Sequence, residues 1–194
     1  SSEKKLIAVI KKEILEIRDR FGDDRRTQII PDDAGTLPEP DEKPEPEETV
    51  FMLTRGGQAR RMAPKVFEKS EWKAPEELPR FLLHIRTDHM LYFFTDAGNC
   101  YPVPVTAVPD ISRPKDRGLT LSGLLMGLED GEQVVRILSA AEGDIAGCGD
   151  LLFVTAQGMI KRTAASEYAV RKAKFASINL RAGDRVQALH VCAD

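Results

Sequence analysis

Long apolar runs are missing from this 194-residue chain: its hydrophobic residues, 42% of the total, come in stretches of only a few. A transmembrane helix needs about 20 consecutive apolar residues, so no membrane contact of that kind is expected. No charged leader with an apolar stretch behind it opens the sequence, which gives no reason to expect secretion. Cysteine is scarce as well. Cys100, Cys148 and Cys192 are too few and too far apart for a disulfide framework or a CxxC metal pattern, and a reducing, cytoplasmic setting fits them. His84, His89 and His190 are not spaced as metal ligands with these cysteines, so no metal site is expected. A basic excess is also lacking, since the formal net charge is −3. That average disfavours nucleic acid, whose binders usually carry an excess of positive charge.

The average conceals a division. Residues 1–49 hold 9 Lys/Arg and 14 Asp/Glu, whereas residues 50–194 hold 19 and 17. Any anion-binding face therefore belongs to the second part and is local.

What is present divides the chain into three stretches. In the first, residues 1–30, Ile7, Ile10, Ile14, Ile17 and Phe21 follow one another at steps of three and four. The spacing predicts a helix with a coiled-coil type of seam, stopped at Gly22. The seam packs either on its own domain or on a partner helix outside this chain, and the lack of residues before the helix favours a piece of a longer protein. Residues 31–49 carry five prolines and eight acidic residues with almost nothing apolar. They cannot bury enough surface to offset ordering, so an extended linker is predicted, acting as a spacer or as an acidic mimic of DNA phosphate.

From Val50 onwards the texture changes to short strand-like runs: VFMLT, FLLHI, MLYFFT, QVVRIL, LLFVT and VQALHV. Three of them head a repeated phrase, FMLTRGGQARRMA, YFFTDAGNCYPVP and LFVTAQGMIKRTA. Each is an apolar strand ending in Thr54, Thr95 or Thr155, with Gly57, Gly98 or Gly158 three residues on, and then a second strand. A glycine there lets two strands turn tightly and pair. A second signal precedes the closing strand, Gly131-Glu132 and Gly183-Asp184, while PEELPRFLLHI in the first unit lacks the glycine. The fold expected is mainly β: a propeller-like pinwheel of about three blades, near residues 50–87, 88–149 and 150–194, behind one N-terminal helix. Asp88, Asp144, Asp150 and Asp184 read as turn residues.

These residues resemble a family. LIAVIKKEILEIRDRFGDDRRT, from Leu6 to Thr27 with its basic pair Arg25 and Arg26, is similar to the end of the coiled-coil tower in the A subunit of bacterial type IIA topoisomerases, DNA gyrase and topoisomerase IV. TAQGMIKRTAASEY (Thr155–Tyr168) and ASINLRAGDRV (Ala176–Val186) resemble the blade repeat of that subunit's C-terminal domain, a β-pinwheel. The resemblance implies that the parent enzyme cuts one DNA duplex through a tyrosine, passes another through the gap and reseals, using ATP on a partner B subunit, with Mg on other domains. It implies double-stranded DNA, the B subunit plus a second A subunit for partners, and a cytoplasmic, nucleoid-associated location in a bacterium. Neither cutting nor ATP use is expected in this piece. Tyr92, Tyr101 and Tyr168 stand in LYF, CYP and EYA contexts rather than the family's Arg-Tyr-Thr, and no Walker-type loop is present. Gyrase proper also carries a QRRGGKG-type box for DNA wrapping. The corresponding stretch here, Lys65 to Arg80, has none, which points to a topoisomerase IV-like or divergent gyrase-like subunit.

Candidate DNA-binding residues follow from the repeat. Arg60 and Arg61 in the first unit and Lys161 and Arg162 in the third occupy matching positions, where the middle unit has Tyr101 and Pro102. Alternation along a strand allows only one of each pair to face a given surface. Lys65, the cluster Arg113, Lys115 and Arg117, and the cluster Arg171, Lys172 and Lys174 would extend the track. Phosphate contacts of this kind are sequence-independent and salt-sensitive. The bland alternative is ordinary solubilising charge. Trp72 stacks on a base or covers the sheet. No Ser/His/Asp set supports a stand-alone enzyme, and the competing function is a propeller-type protein-interaction scaffold without DNA binding.

Overall fold

The computed structural model describes residues 2–22, 45–111, 113, 116–141 and 144–192. The chain divides into two compact units, Ser1–Pro44 and Glu45–Asp194. The Arg25 and Arg26 pair and the acidic stretch up to Pro44 lie outside the described residues.

In the first unit helix α1 spans Ser2–Phe21. It ends as its sequence predicts, with the Gly22 N–H donating to the Arg18 carbonyl at 2.7 Å and with Arg18 and Arg20 in the last turn, where the helix dipole favours cations. The seam residues Ile7, Ile10, Ile14, Ile17 and Phe21 are exposed. This helix is not apolar enough to cross a membrane, nor is any other among the described residues.

The second unit is built from three antiparallel sheets. The first contains β1 (Glu48–Thr54), β2 (Gln58–Met62) and β3 (Pro79–Arg86); the second β4 (His89–Thr95), β5 (Asn99–Pro104) and β7 (Val134–Ala141); the third β8 (Asp150–Thr155), β9 (Ile160–Ala164) and β11 (Val186–Cys192). Two further strands of two residues each cross over between repeats. β6 (Leu119–Thr120) runs beside β2 in the first sheet, and β10 (Phe175–Ala176) beside β5 in the second, giving the orders β3-β1-β2-β6, β10-β5-β4-β7 and β11-β8-β9. Short helices α2 (Pro64–Glu68) and α3 (Leu121–Leu124) lie in the connections.

The repeated phrase forms the central hairpin of each sheet. Gly57, Gly98 and Gly158 have φ of 77°, 79° and 81°, a conformation only glycine adopts without strain, and each donates its N–H to the threonine carbonyl three residues earlier at 3.0 Å. At Gly98 space also matters, because a Cβ there would lie 2.8 Å from the Ile178 carbonyl oxygen.

The sheets stack face to face, and strand alternation decides what each face carries. Phe51 and Leu53 from the first sheet meet Leu91, Phe93, Tyr101 and Val103 from the second, with the Phe51 and Phe93 rings edge to face at 5.9 Å. Such a pair contributes about 0.5–1.5 kcal/mol beyond area burial. The other face of the second sheet, with Tyr92, Phe94 and Cys100, packs on Leu151, Phe153 and Leu189 of the third. The outer face of the first sheet, Val50, Met52 and Met62, is covered by Val66, Phe67, Trp72 and Ile111. Trp72 is thus a packing residue.

Candidate nucleic-acid interface

Each blade has an acidic residue two positions before its last strand. In the second blade, Glu132 accepts from the Thr95 hydroxyl, from Asn99 Nδ2 at 2.9 Å, from the Tyr101 hydroxyl at 2.9 Å and from the Glu129 N–H at 3.1 Å. Burial pushes its carboxyl pKa up, but the four hydrogen bonds outweigh this and hold it below the usual carboxylate range. The Tyr101 phenol, chiefly through burial, is pushed up to about 12, so it remains a proton donor at neutral pH. In the third blade Asp184 accepts from the backbone N–H groups of Gln157 at 3.0 Å and Arg185 at 2.8 Å. Burial raises its pKa too, and hydrogen bonds from Thr155, Gln157 and Arg185 with the charge of Arg181 bring it below the usual value. Asp184 is therefore a clasp and not simply a turn residue.

The first blade has an acidic residue at the same place, in other surroundings. The Arg55, Asp96 and Ala156 N–H groups donate to the carbonyls of Leu78, Gln133 and Arg185, which puts Glu77 in register with Glu132 and Asp184. Arg60 holds the place of Tyr101. Its pKa is lowered by burial, an effect partly offset by the charge of Glu77.

The structure separates the candidate cations by what surrounds them. Arg60 is only 4% exposed. Its guanidinium lies 4.5 Å over the Trp72 ring and Nη1 donates to the Asp116 carbonyl at 3.2 Å, so it faces the cap of the first sheet, not the outside. Arg61 is half-buried: Nε donates to the Val108 carbonyl at 3.0 Å and Nη1 meets Asp110 at 2.9 Å. Arg162 pairs with Asp150. Lys174 reaches the Gly127 carbonyl at 2.9 Å and Glu129 at 3.0 Å and lies over the Tyr101 ring at 5.5 Å; its pKa is raised by hydrogen bonding with Tyr101 and Glu129. Lys115 lies outside the described residues. Lys65, Arg113, Arg117, Lys161, Arg171 and Lys172 are exposed, and none of them has a carboxylate within 4.0 Å among the described residues.

Matching positions in the repeat thus do not have matching environments. The position of Arg60, Tyr101 and Lys161 is buried in the first two blades and exposed in the third. Arg60, Arg113 and Arg117 are brought together around one cleft on the first blade, but Glu71, Glu76, Glu77 and Asp116 line it as well. The sequence reading passes over other exposed cations, among them Arg55 at the first hairpin turn and Arg181. Their location one residue after Thr54 and two before Gly183 is the signal that identifies them as turn residues. No group of three or more metal-ligating side chains occurs among the described residues.

Comparison with known proteins gives one consistent result. A family model described as DNA gyrase C-terminal domain, beta-propeller, matches residues 89–141 and 149–193. The DNA gyrase A subunit of Streptococcus pyogenes serotype M1 is 29% identical over 192 residues, covering 94% of this chain and 23% of that protein. Its counterpart in Haloquadratum walsbyi is 31% identical over 194 residues, covering 93% and 22%. The chain therefore spans under a quarter of these relatives. Among solved structures, the C-terminal domain of a DNA topoisomerase IV superposes with a TM-score of 0.66 at 24% identity, over 77% of this chain and 47% of that one. The E. coli ParC C-terminal domain gives 0.59 at 17% identity, over 76% and 58%. At these identities the structural likeness concerns the fold.

Proposed function

The chain belongs to the family of DNA gyrase C-terminal, β-propeller domains, and from that premise we propose that it captures and bends duplex DNA for ATP-dependent strand passage by a type IIA topoisomerase, as part of the A subunit. The observation that carries the reading is the set of exposed cations with no carboxylate within 4.0 Å among the described residues, Lys65, Arg113, Arg117, Lys161, Arg171 and Lys172, on a β unit whose overall charge is close to balanced. Phosphates are bound by such side chains without base readout. Backbone capture also suits a domain that must handle any sequence passing through the enzyme.

The mechanism is electrostatic. Each phosphate neutralised releases condensed counterions, so affinity rises steeply as salt falls. Bending follows if the cations engage the duplex at more than one blade, because the contacts made by the bend offset its elastic cost. This reading assigns strand cleavage, ATP and Mg to other domains or subunits. It makes the B subunit, together with a second A subunit, the partners of this chain in the cytoplasm and at the nucleoid.

A labelled duplex titrated with the 194-residue chain across a salt series tests the proposal. The logarithm of affinity is expected to fall by about 0.9 per logarithmic unit of salt for each phosphate neutralised. Replacing Lys161, Arg171 and Lys172 together by alanine should flatten that slope. No binding at low salt, or an unchanged slope in the triple variant, overturns it.

A further inference from the structure

The crossover segments carry two pairs of the exposed cations. Arg113 and Arg117 stand before β6, and Arg171 and Lys172 before β10. Each segment leaves its own repeat to lay a short strand on the border of the sheet before it, β6 on β2 and β10 on β5.

The second segment is a strap tied at both ends. The Tyr168 hydroxyl donates to the Ser177 carbonyl at 3.1 Å, and the Tyr168 ring stacks on Phe175 with centroids 6.3 Å apart. Phe175 in turn lies opposite Cys100 of β5, and the Ser177 N–H and hydroxyl both donate to the Gly98 carbonyl, at 2.8 and 2.9 Å. Between these ties Arg171, Lys172 and Ala173 are exposed. Lys174 turns the other way, its side chain 29% exposed. Its ammonium donates to the Gly127 carbonyl at 2.9 Å and to Glu129 at 3.0 Å beside the Tyr101 ring, so its charge is already engaged within the second blade.

The first segment is fastened to its sheet by a different cation. Arg61 on β2 donates from Nε to the Val108 carbonyl and pairs with Asp110. Its N–H donates to the Pro109 carbonyl and its carbonyl accepts from the Ile111 N–H, both at 2.9 Å. In each segment a basic residue is committed to the fold while its basic neighbours face solvent.

We propose that Lys174 is a positioning residue for duplex binding: it latches the strap to the second blade, so that Arg171 and Lys172 meet phosphate from a fixed place while Lys174 itself does not touch the DNA. Arg61 has the same part in the first segment. The inference rests on the DNA-binding reading above. A fastened cation gives up little freedom on meeting a phosphate, whereas one on a loose loop has to be ordered at the moment of binding. The pair with Glu129 is partly shielded from solvent on the lysine side, which weakens screening by salt.

Duplex affinity of the full 194-residue chain tests the latch through Glu129→Ala and Lys174→Met. Each is made in the wild type and in the Arg171→Ala/Lys172→Ala background, at salt low enough for all to bind. Glu129→Ala removes a negative charge, and on electrostatics alone it would tighten binding. The latch predicts the opposite, a loss of about two- to fivefold in the wild-type background, with a comparable or larger loss for Lys174→Met. In the background without Arg171 and Lys172 neither substitution should weaken binding further, because the cations it positions are gone. Binding by Glu129→Ala as tight as the wild type overturns the proposal. Equal losses in both backgrounds overturn it too, since a phosphate contact by Lys174 or a general structural defect would act without Arg171 and Lys172. So does a double variant that binds like the wild type, which would leave the strap without a contact to position. No binding by the wild type overturns the DNA reading and this inference with it.

Discussion

The two ends of the stack of sheets differ. At the first sheet, Val50, Met52 and Met62 are sealed beneath Trp72, Phe67 and Ile111, with Arg60 held against the same indole. At the third, Leu152 and Val154 are only partly covered and Ile160 and Val191 are exposed. The difference shows that the repeat by itself determines how a sheet folds but not what its outer face meets. The first end is closed by Val66, Phe67, Trp72 and Ile111, which lie outside the repeated phrase. The other end has no such cover among the described residues.

The largest expected effect comes from breaking the closed end. Met52→Ala should cost about 2–5 kcal/mol, because the cap relaxes only partly into the space left. Ile160→Ala at the open end should change stability by less than about 0.5 kcal/mol. Urea unfolding of both variants measures the contrast, and equal losses would remove it.

Next in size is the clasp. Glu132→Gln disturbs a buried acceptor with four donors and is expected to cost about 1–3 kcal/mol at pH 7. The pH dependence has a definite sign. The folded pKa of Glu132 lies below its unfolded value, so its contribution is present above the unfolded pKa, about 4.3. It is lost as pH falls through the folded one. The wild type should therefore lose more stability than Glu132→Gln between pH 7 and pH 3, seen in the urea midpoint. A parallel decline in the two proteins would contradict the clasp.

A smaller effect distinguishes the closed end's own chemistry. Replacing Trp72 by leucine keeps apolar cover but removes the cation–π contact with Arg60, worth about 0.5–2 kcal/mol, and thermal denaturation should register the loss. The smallest concerns DNA: on the reading proposed above, Lys161→Ala should lower duplex affinity only modestly and reduce the salt slope by about one phosphate. Arg60→Met should leave that slope unchanged, since its guanidinium already lies against Trp72. A larger effect at Arg60 than at Lys161 would reverse the comparison.

The parts of this fold legible in the sequence are those with a period. Thr54, Thr95 and Thr155 with their glycines mark three hairpins because a positive φ demands glycine. Glu77 was hidden because Glu76 occupies the place where the other repeats have Gly131 and Gly183. The crossover strands Leu119–Thr120 and Phe175–Ala176 were hidden for another reason: two residues are too few to show alternation. The candidate site was legible only as composition. A basic residue in the repeat has the same letter whether it faces Trp72, as Arg60 does, or solvent, as Lys161 does. Its environment comes from the non-repeated segments packed against it.

The crossover strands also order events during synthesis. β2 leaves the ribosome long before Leu119 and Thr120 can close its side, and β5 waits in the same way for Phe175 and Ala176. Each of the first two sheets is finished by the repeat translated after it, so the nascent chain trails one unfinished border while they form. Completion then travels from first blade to last, and a ribosome stalled within a repeat leaves the preceding blade open to whatever strand is nearby.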